Sequence, residues 1–504
     1  MYDIVLIQPP VSKQTVEEDP RILSYFKALQ QVGSLLGDSP LEPNYGLLTL
    51  AAILRELHFN VAYLDLNIHD YRLRSSGLMM TDDILEETIK DYEARIFGIS
   101  YMTVTYGMWG KRLSGLISKV WPDAKQIVGG IHPTMQYNKV LNECPHIDYV
   151  IEGEAENSIG SIVKYILEDK KPSKIPGVHS RFDLNINSYG IIDKYVLSET
   201  PNPAYDLVAE SNHNFIPRIY SSHGCDEKCT FCVVSDFFSA NKKVNGRCYR
   251  KIEPALFEQH FYDLISKYDP KFFCLGDLTF AHDREPTLQI CKIIRKVKEE
   301  LNSQSIWWCQ TRADLINKEL ANAMYLAGCR QIAIGIEGAT DDQRNRVVKR
   351  LKTATIEDCL RLLSDIGFEI QTYWIIGLPG DSEKTVNLTI TKMLSYLSNG
   401  MAHLTHISVL VPYPGTMLGR NHEKSGIILD PKRSLDYSQY WMNCDPYGCG
   451  VPIYSTIDNT GKILLSSEAI YELWLLAISE AEKFYRSHGK GLGISLQEDS
   501  RLTF

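Results

Sequence analysis

From residue 1 to about 167, short apolar runs alternate with amphipathic stretches. YDIVLIQ, NVAYLDL, RIFGISYM, AKQIVGG and IDYVIEG read as strands, while GLLTLAAILREL and YGMWGKRLSGLISKV carry apolar residues at helical spacing. Five strands separated by helices predict a Rossmann-like, doubly wound parallel sheet, whose ligands bind outside the carboxyl ends of its strands. Polar or glycine-bearing exits mark those ends at Pro9, Pro10, Ser100, Gly129, Gly130 and Gly153. Residues 168–215 break the pattern with prolines and asparagines and read as a linker carrying a small hairpin. Alternation returns over 216–417 in FIPRIYSS, KFFCLGD, SIWWCQT, RQIAIGIE, EIQTYWIIGLPG and HLTHISVLVPYPG. Six βα units predict a partial (β/α)6 barrel, short of the eight-stranded form. The tail, 418–504, joins a dense aromatic stretch to an amphipathic helix around SSEAIYELWLLAISEAEKFY. It is expected to form a small, mostly helical C-terminal domain and is a candidate substrate lid.

Composition narrows the class. At 44% hydrophobic and 23% charged, the 504 residues form an ordinary globular chain. Lysine plus arginine is 53 against 62 aspartate plus glutamate, a net −9 that argues against a general nucleic-acid binder. No apolar run reaches the ~18–20 residues of a membrane-spanning helix. The start, MYDIVLIQPP, reads as a first strand and not as a signal peptide, so a cytoplasmic location is expected. Twelve cysteines are too few for a disulfide scaffold, and a cysteine cluster in a reducing compartment points to metal or redox chemistry.

That cluster is HGCDEKCTFC, where Cys225, Cys229 and Cys232 stand as C-x3-C-x2-C after the first strand of the barrel repeat. Thiolates so close together embrace one metal centre, and three of them leave an iron–sulfur cluster one ligand short of four. An open iron can take a substrate or cofactor. The alternatives are a Cys3His zinc site using His223, or three incidental thiols.

The triplet, with aromatic Phe231 before its third cysteine, resembles the signature of the radical SAM superfamily. The resemblance implies a 4Fe–4S cluster on Cys225, Cys229 and Cys232, with S-adenosylmethionine chelating the fourth iron and yielding a 5′-deoxyadenosyl radical on reductive cleavage. It also implies S-adenosylmethionine contacts at Phe231, Asp277, Gln310, Arg312 and Glu337, beside Gly335 in IAIGIEGA, and an external flavodoxin- or ferredoxin-like electron donor. Each such position can instead be a strand-end polar residue or a turn glycine. GLPGDSEKT and YPGTML also look like connections of this family.

The N-terminal pattern GLLTLAAIL, Asp65, GISYM, VGGIHPT and DYVIEGEAE resembles the cobalamin-binding domain fused to many radical SAM enzymes. The implied contacts are Gly98, Gly129, Gly130 and Gly153 for close backbone approach, Ser100 and Thr103 for hydrogen bonds, Tyr101 and Met102 facing the ring, and His132. The cobalt-ligating D-x-H-x-x-G is absent, because QPPVSKQ follows the first strand and His69 follows the second. His132 is not expected to ligate cobalt, so cobalamin would bind without a protein histidine ligand. A flavodoxin-like domain that no longer holds cobalamin is the alternative, and no G-x-G-x-x-G follows the first strand.

Cys444 and Cys449 are candidate thiol donors or lid residues, with ordinary packing favoured. Tyr437, Tyr440, Trp441, Tyr447 and Tyr454 either wall a substrate pocket or form a small core. The combined resemblance implies a cobalamin-dependent radical SAM enzyme that methylates an unactivated carbon of a small-molecule or peptide substrate. Its rivals are an enzyme that cyclises, oxidises or rearranges without methyl transfer, and a non-enzymatic cobalamin or iron–sulfur sensor.

Overall fold

A computed structural model describes residues 1–10, 42–102, 106–172, 175–183, 195–209, 215–238, 248–430 and 452–488, together with Arg21, Ser24 and Ala28. The five N-terminal strands form where the apolar runs predict them: β1 (Tyr2–Gln8), β2 (Val61–Asp65), β3 (Ala94–Ser100), β4 (Lys125–Gly129) and β5 (Tyr149–Ile151). They lie parallel in the order β2-β1-β3-β4-β5, with β6 (Val178–Ser180) antiparallel on the β5 edge. Hence β6 extends the sheet, where the sequence suggested a separate hairpin.

Both faces of the sheet are covered, which is why its strands read as continuous apolar runs. Ile4 and Leu6 of β1 pack into one layer with Leu48, Ala51 and Leu54 of helix α1 (Tyr45–Glu56). Val5 and Ile7 point the other way, toward Leu113 and Ile117 of α2 (Tyr106–Val120). Asn44 starts α1 by accepting the Leu47 amide at 3.0 Å. Chain order reverses between β1 and β3, the switch point at which doubly wound sheets bind ligands.

The second sheet runs in chain order through β7 (Arg218–Ile219), β10 (Phe272–Leu275), β11 (Ile306–Thr311), β12 (Cys329–Glu337), β13 (Glu369–Ile376) and β14 (Leu404–Val409), all parallel. This is the six-stranded part-barrel, with β7 and β14 as its edges among the described residues. A two-stranded ribbon of β8 (Ser222–His223) and β9 (Arg250–Lys251) rises beside its first strand.

The tail contains more strand than expected. β15 (Ile427–Leu429), β16 (Tyr454–Ile457) and β17 (Ile463–Leu465) form an antiparallel sheet ahead of helix α3 (Ser467–His488). Strands of three or four residues are too short to show a period. The tail also shares the barrel's core. Trp474 Nε1 donates to the Ile407 carbonyl at 2.9 Å, and the Thr405 amide donates to Tyr485 Oη at 2.8 Å. Tyr454 is fully buried and donates to the Gly377 carbonyl at 2.9 Å, so it belongs to the core and not to a pocket wall. Tyr437, Tyr440, Trp441, Cys444, Tyr447 and Cys449 lie outside the described residues. Among the described residues no helix is long and apolar enough to cross a membrane.

Candidate active site

The loop bearing Cys225, Cys229 and Cys232 leaves β8 at the carboxyl end of the barrel and enters the short helix Val233–Phe237. Gly224 turns it with φ +79, and a Cβ there would lie 2.0 Å from the Cys248 carbonyl oxygen. Asp226 Oδ1 accepts the amides of Cys248 at 2.9 Å and Tyr249 at 3.1 Å. The Thr230 amide donates to the Val347 carbonyl at 3.1 Å, and the Thr230 carbonyl accepts the Leu418 amide at 2.9 Å. The loop is therefore fixed by backbone and Asp226, independently of the thiols.

Cys225 Sγ lies 3.4 Å from Thr279 Oγ1, and Cys229 is buried. Burial pushes the Cys232 thiol up to about 12, and Cys229 and Cys225 add to that shift. Three thiols on one loop, Cys229 buried and Cys225 and Cys232 half-buried, are a donor set suited to a cationic centre. Among the described residues no three His, Cys, Asp or Glu side chains converge to hold a single metal ion. Cluster ligands, each on its own iron, need no such convergence. His223 does not join the thiols as a zinc ligand would. Its Nδ1 faces Glu154 Oε1 at 3.9 Å.

The five barrel positions expected at S-adenosylmethionine have different surroundings. Asp277 is buried, and its carboxylate accepts the Ser221 amide at 2.7 Å, Ser221 Oγ at 2.5 Å and Ser222 Oγ at 2.6 Å. Its oxygens are committed to the strand that leads into the cysteine loop, which makes it an anchor for that loop. Gln310 is half-buried at the end of β11, and Phe231 packs against the barrel core. Arg312 and Glu337 meet around a residue that sequence reasoning missed. Lys349 Nζ donates to Glu337 Oε1 at 2.9 Å, and Arg312 Nη2 donates to the Lys349 carbonyl at 3.2 Å. Arg312 Nη1 also lies 3.2 Å from Glu227 Oε2, inside the cysteine loop. Burial alone would pull the Lys349 ammonium down, but Glu337 and Cys229 outweigh it and hold it above the ordinary lysine value.

Both members of the Lys349–Glu337 pair are nearly sequestered, at 10% and 9% side-chain exposure. Removing one partner strands the other charge. Lys349→Met is therefore expected to cost about 3 kcal/mol in urea unfolding, and Lys349→Met/Glu337→Leu to recover most of that loss.

At the carboxyl edge of the N-terminal sheet, Gly98, Ser100, Met102, Gly129, Gly130 and Gly153 line a cavity of about 460 Å³. Gly130 has φ +120, and a Cβ there would lie 2.4 Å from the Tyr101 carbonyl oxygen. Tyr101 does not face the cavity. It is fully buried with its ring against Gly110, and its amide donates to the Gly129 carbonyl at 2.7 Å. His132 is absent from the lining, and burial draws its imidazole down to about 4. Thr103 lies outside the described residues. Gln8 ends β1: its Oε1 accepts Asn44 Nδ2 at 2.6 Å, and the same amide lies 3.3 Å from Ser100 Oγ.

The opposite wall of this cavity comes from the barrel, through Arg218, Tyr220, His223 and Gly224. Arg218 pairs with Glu42 at 2.5 Å, and the rings of Tyr45 and Tyr220 lie 4.5 Å apart. Arg250 donates to Glu154. Burial raises the Glu154 carboxyl, but His223 and Arg250 outweigh this and hold it below the ordinary value. Asn44, ahead of an apolar helical run, was readable as a helix cap. The charged pairs across the two domains carried no local signal.

A family model described as B12 binding domain matches residues 40–163, and one described as Radical SAM superfamily matches residues 219–393. An uncharacterised methyltransferase of Pyrococcus horikoshii is 25% identical over 386 residues, covering 75% of this chain and 77% of that protein. The anaerobic magnesium-protoporphyrin IX monomethyl ester cyclase of Cereibacter sphaeroides is 23% identical over 376 residues, covering 72% of this chain and 58% of the cyclase. Among solved structures, the radical S-adenosylmethionine methyltransferase TsrM of Kitasatospora setae, with cobalamin and a 4Fe–4S cluster bound, superposes with a TM-score of 0.65. It is 15% identical and covers 95% of this chain and 89% of that one. With a B12 binding domain against a radical SAM barrel whose opening carries the three-cysteine loop, the chain belongs to the cobalamin-dependent radical SAM family.

Proposed function

We propose that the protein methylates an unactivated carbon of a small-molecule or peptide substrate, using S-adenosylmethionine, a 4Fe–4S cluster and cobalamin. One observation carries the reading: the glycine-lined sheet edge and the cysteine loop border the same cavity, through Gly98, Gly129 and Gly153 on one side and His223 and Gly224 on the other. When bound, the cluster supplies the electron that cleaves S-adenosylmethionine, and cobalamin supplies a methyl carrier. The chain's own residues hold and shield these groups. Cys225, Cys229 and Cys232 hold the cluster. Gln310, Glu337 and Phe231 face S-adenosylmethionine, while Lys349 and Asp277 position the residues around it. Gly98, Ser100, Met102, Gly129, Gly130 and Gly153 receive cobalamin, and the walls from both domains exclude water from radical chemistry. The same reading divides the chain at 1–167, 168–215, 216–417 and 418–504. It includes a flavodoxin- or ferredoxin-like electron donor and a cytoplasmic location.

A cyclisation, oxidation or rearrangement without methyl transfer is the second reading, favoured by the similarity to the cyclase. Incubation with methyl-deuterated S-adenosylmethionine separates the two. Methyl transfer predicts a product 17 mass units heavier than a hydrogen-bearing precursor retaining its skeleton, as the mass of CD3 replacing H requires. Turnover that forms 5′-deoxyadenosine and leaves no label in product supports the second reading. Absence of any S-adenosylmethionine cleavage under reducing conditions would revive a sensor.

A further inference from the structure

His223 lies two residues before the first cysteine of the cluster loop and lines the cavity opposite the N-terminal sheet edge. Its Nδ1 faces Glu154 Oε1 at 3.9 Å across the two domains, and its ring meets Tyr220 edge-on at 5.3 Å. Its Nε2 is buried without a hydrogen-bond partner in the protein. Glu154 is fixed in turn by Arg250, which also donates to the Tyr195 carbonyl at 2.7 Å. A ring nitrogen that is oriented on one side and left unsatisfied on the other is prepared for a polar group from outside the chain.

We propose that His223 Nε2 makes a hydrogen bond to a carboxamide on the rim of cobalamin, so that the cluster loop is itself part of the cobalamin site. This rests on the reading that the N-terminal domain holds cobalamin. A carboxamide donates and accepts, so either tautomer of the imidazole is served. His223, Gly224 and Cys225 are consecutive, and Gly224 is locked against the Cys248 carbonyl, so a ligand that fixes His223 also fixes the start of the cluster loop. Such coupling is reciprocal: cobalamin tightens the loop, and the ordered loop tightens cobalamin. His223 acts as a positioning residue in this scheme. A hydrogen bond from Nε2 would hold the group without making His223 a ligand of the metal.

Titration of hydroxocobalamin into the anaerobically reconstituted full-length protein, read by visible spectrum, tests this together with EPR of cob(II)alamin and of the reduced cluster. His223→Ala is expected to bind about five- to tenfold more weakly, the size of one buried hydrogen bond. His223→Gln, which keeps an amide donor and acceptor, is expected to retain most of the affinity. His223→Leu, which fills the place of the ring without either, is expected to lose it as alanine does and carries the test if the alanine variant fails to fold. Cobalamin should change the cluster EPR signal of the wild type and leave that of His223→Ala unchanged. Equal affinity of wild type and His223→Ala overturns the proposal. So does a nitrogen superhyperfine splitting that is present in wild-type cob(II)alamin and lost in His223→Ala, since that identifies a cobalt ligand. Wild-type protein that binds no cobalamin overturns the cobalamin reading instead, a result distinct from both.

Discussion

Replacing Cys229 by alanine is expected to lower 5′-deoxyadenosine formation by at least about a thousandfold while cobalamin binding persists. The loss is large because two thiolates do not retain a site-differentiated cluster, and without it the electron that cleaves S-adenosylmethionine has no route. The loop itself should survive. Its shape is held by Asp226 on the Cys248 and Tyr249 amides, by Thr230 on Val347 and by Leu418 on Thr230, none of which involves a thiol. The cavity-lining glycines belong to a sheet with its own two core layers, so the visible spectrum of bound cobalamin should be retained. Iron counting, 5′-deoxyadenosine assay and cobalamin titration on one preparation decide the matter. Loss of cobalamin together with iron in a folded variant would contradict the separation of the two sites.

The mirror-image experiment is Gly130→Val, expected to lower cobalamin affinity by at least about a hundredfold and leave the cluster in place. Two costs combine at this position. A backbone at φ +120 is open to glycine and strained for valine, and the Cβ would stand 2.4 Å from the Tyr101 carbonyl oxygen. Tyr101 cannot give way, because its ring is fully buried against Gly110 and its amide is bonded to Gly129. The chain from Gly129 to Ile131, which borders the cavity, must therefore move. Four irons per chain with little cobalt is the expected metal count. Unchanged cobalamin affinity would remove Gly130 from the cofactor site, and loss of both metals would mean that the variant disturbs the whole inter-domain wall.

The pair of predictions shows which parts of the site were legible in the chain. Cys225, Cys229 and Cys232 lie within eight residues, and ligand spacing on one loop is a local property. Gly130 was visible as one of two glycines at a strand exit. Asp277 was visible as a strand-end carboxylate, but its partners Ser221 and Ser222 lie more than fifty positions earlier, so its task as an anchor of the cysteine loop was not. Tyr101 was expected at the ring, and the alternation along β3 gave no warning that its phenol turns under α2. Lys349 follows a helical turn in a basic stretch and reads as a surface residue, whereas the fold buries it against Glu337 beside Cys229.

The sequence by itself determined the two parallel sheets, the order of the domains along the chain and the three-cysteine loop. Parallel strands covered on both faces must be apolar throughout, and ligands supplied by one loop must be close in sequence. Only the tertiary structure decided that the cavity has a wall from each domain, and that Glu154 meets His223 and Arg250 while Glu42 meets Arg218. It also decided that the tail joins the barrel core through Tyr454, Trp474 and Tyr485. These contacts join residues separated by dozens to well over a hundred positions. A hydrophobic or polar period reports which face of an element is buried, and it carries nothing about which distant element covers that face.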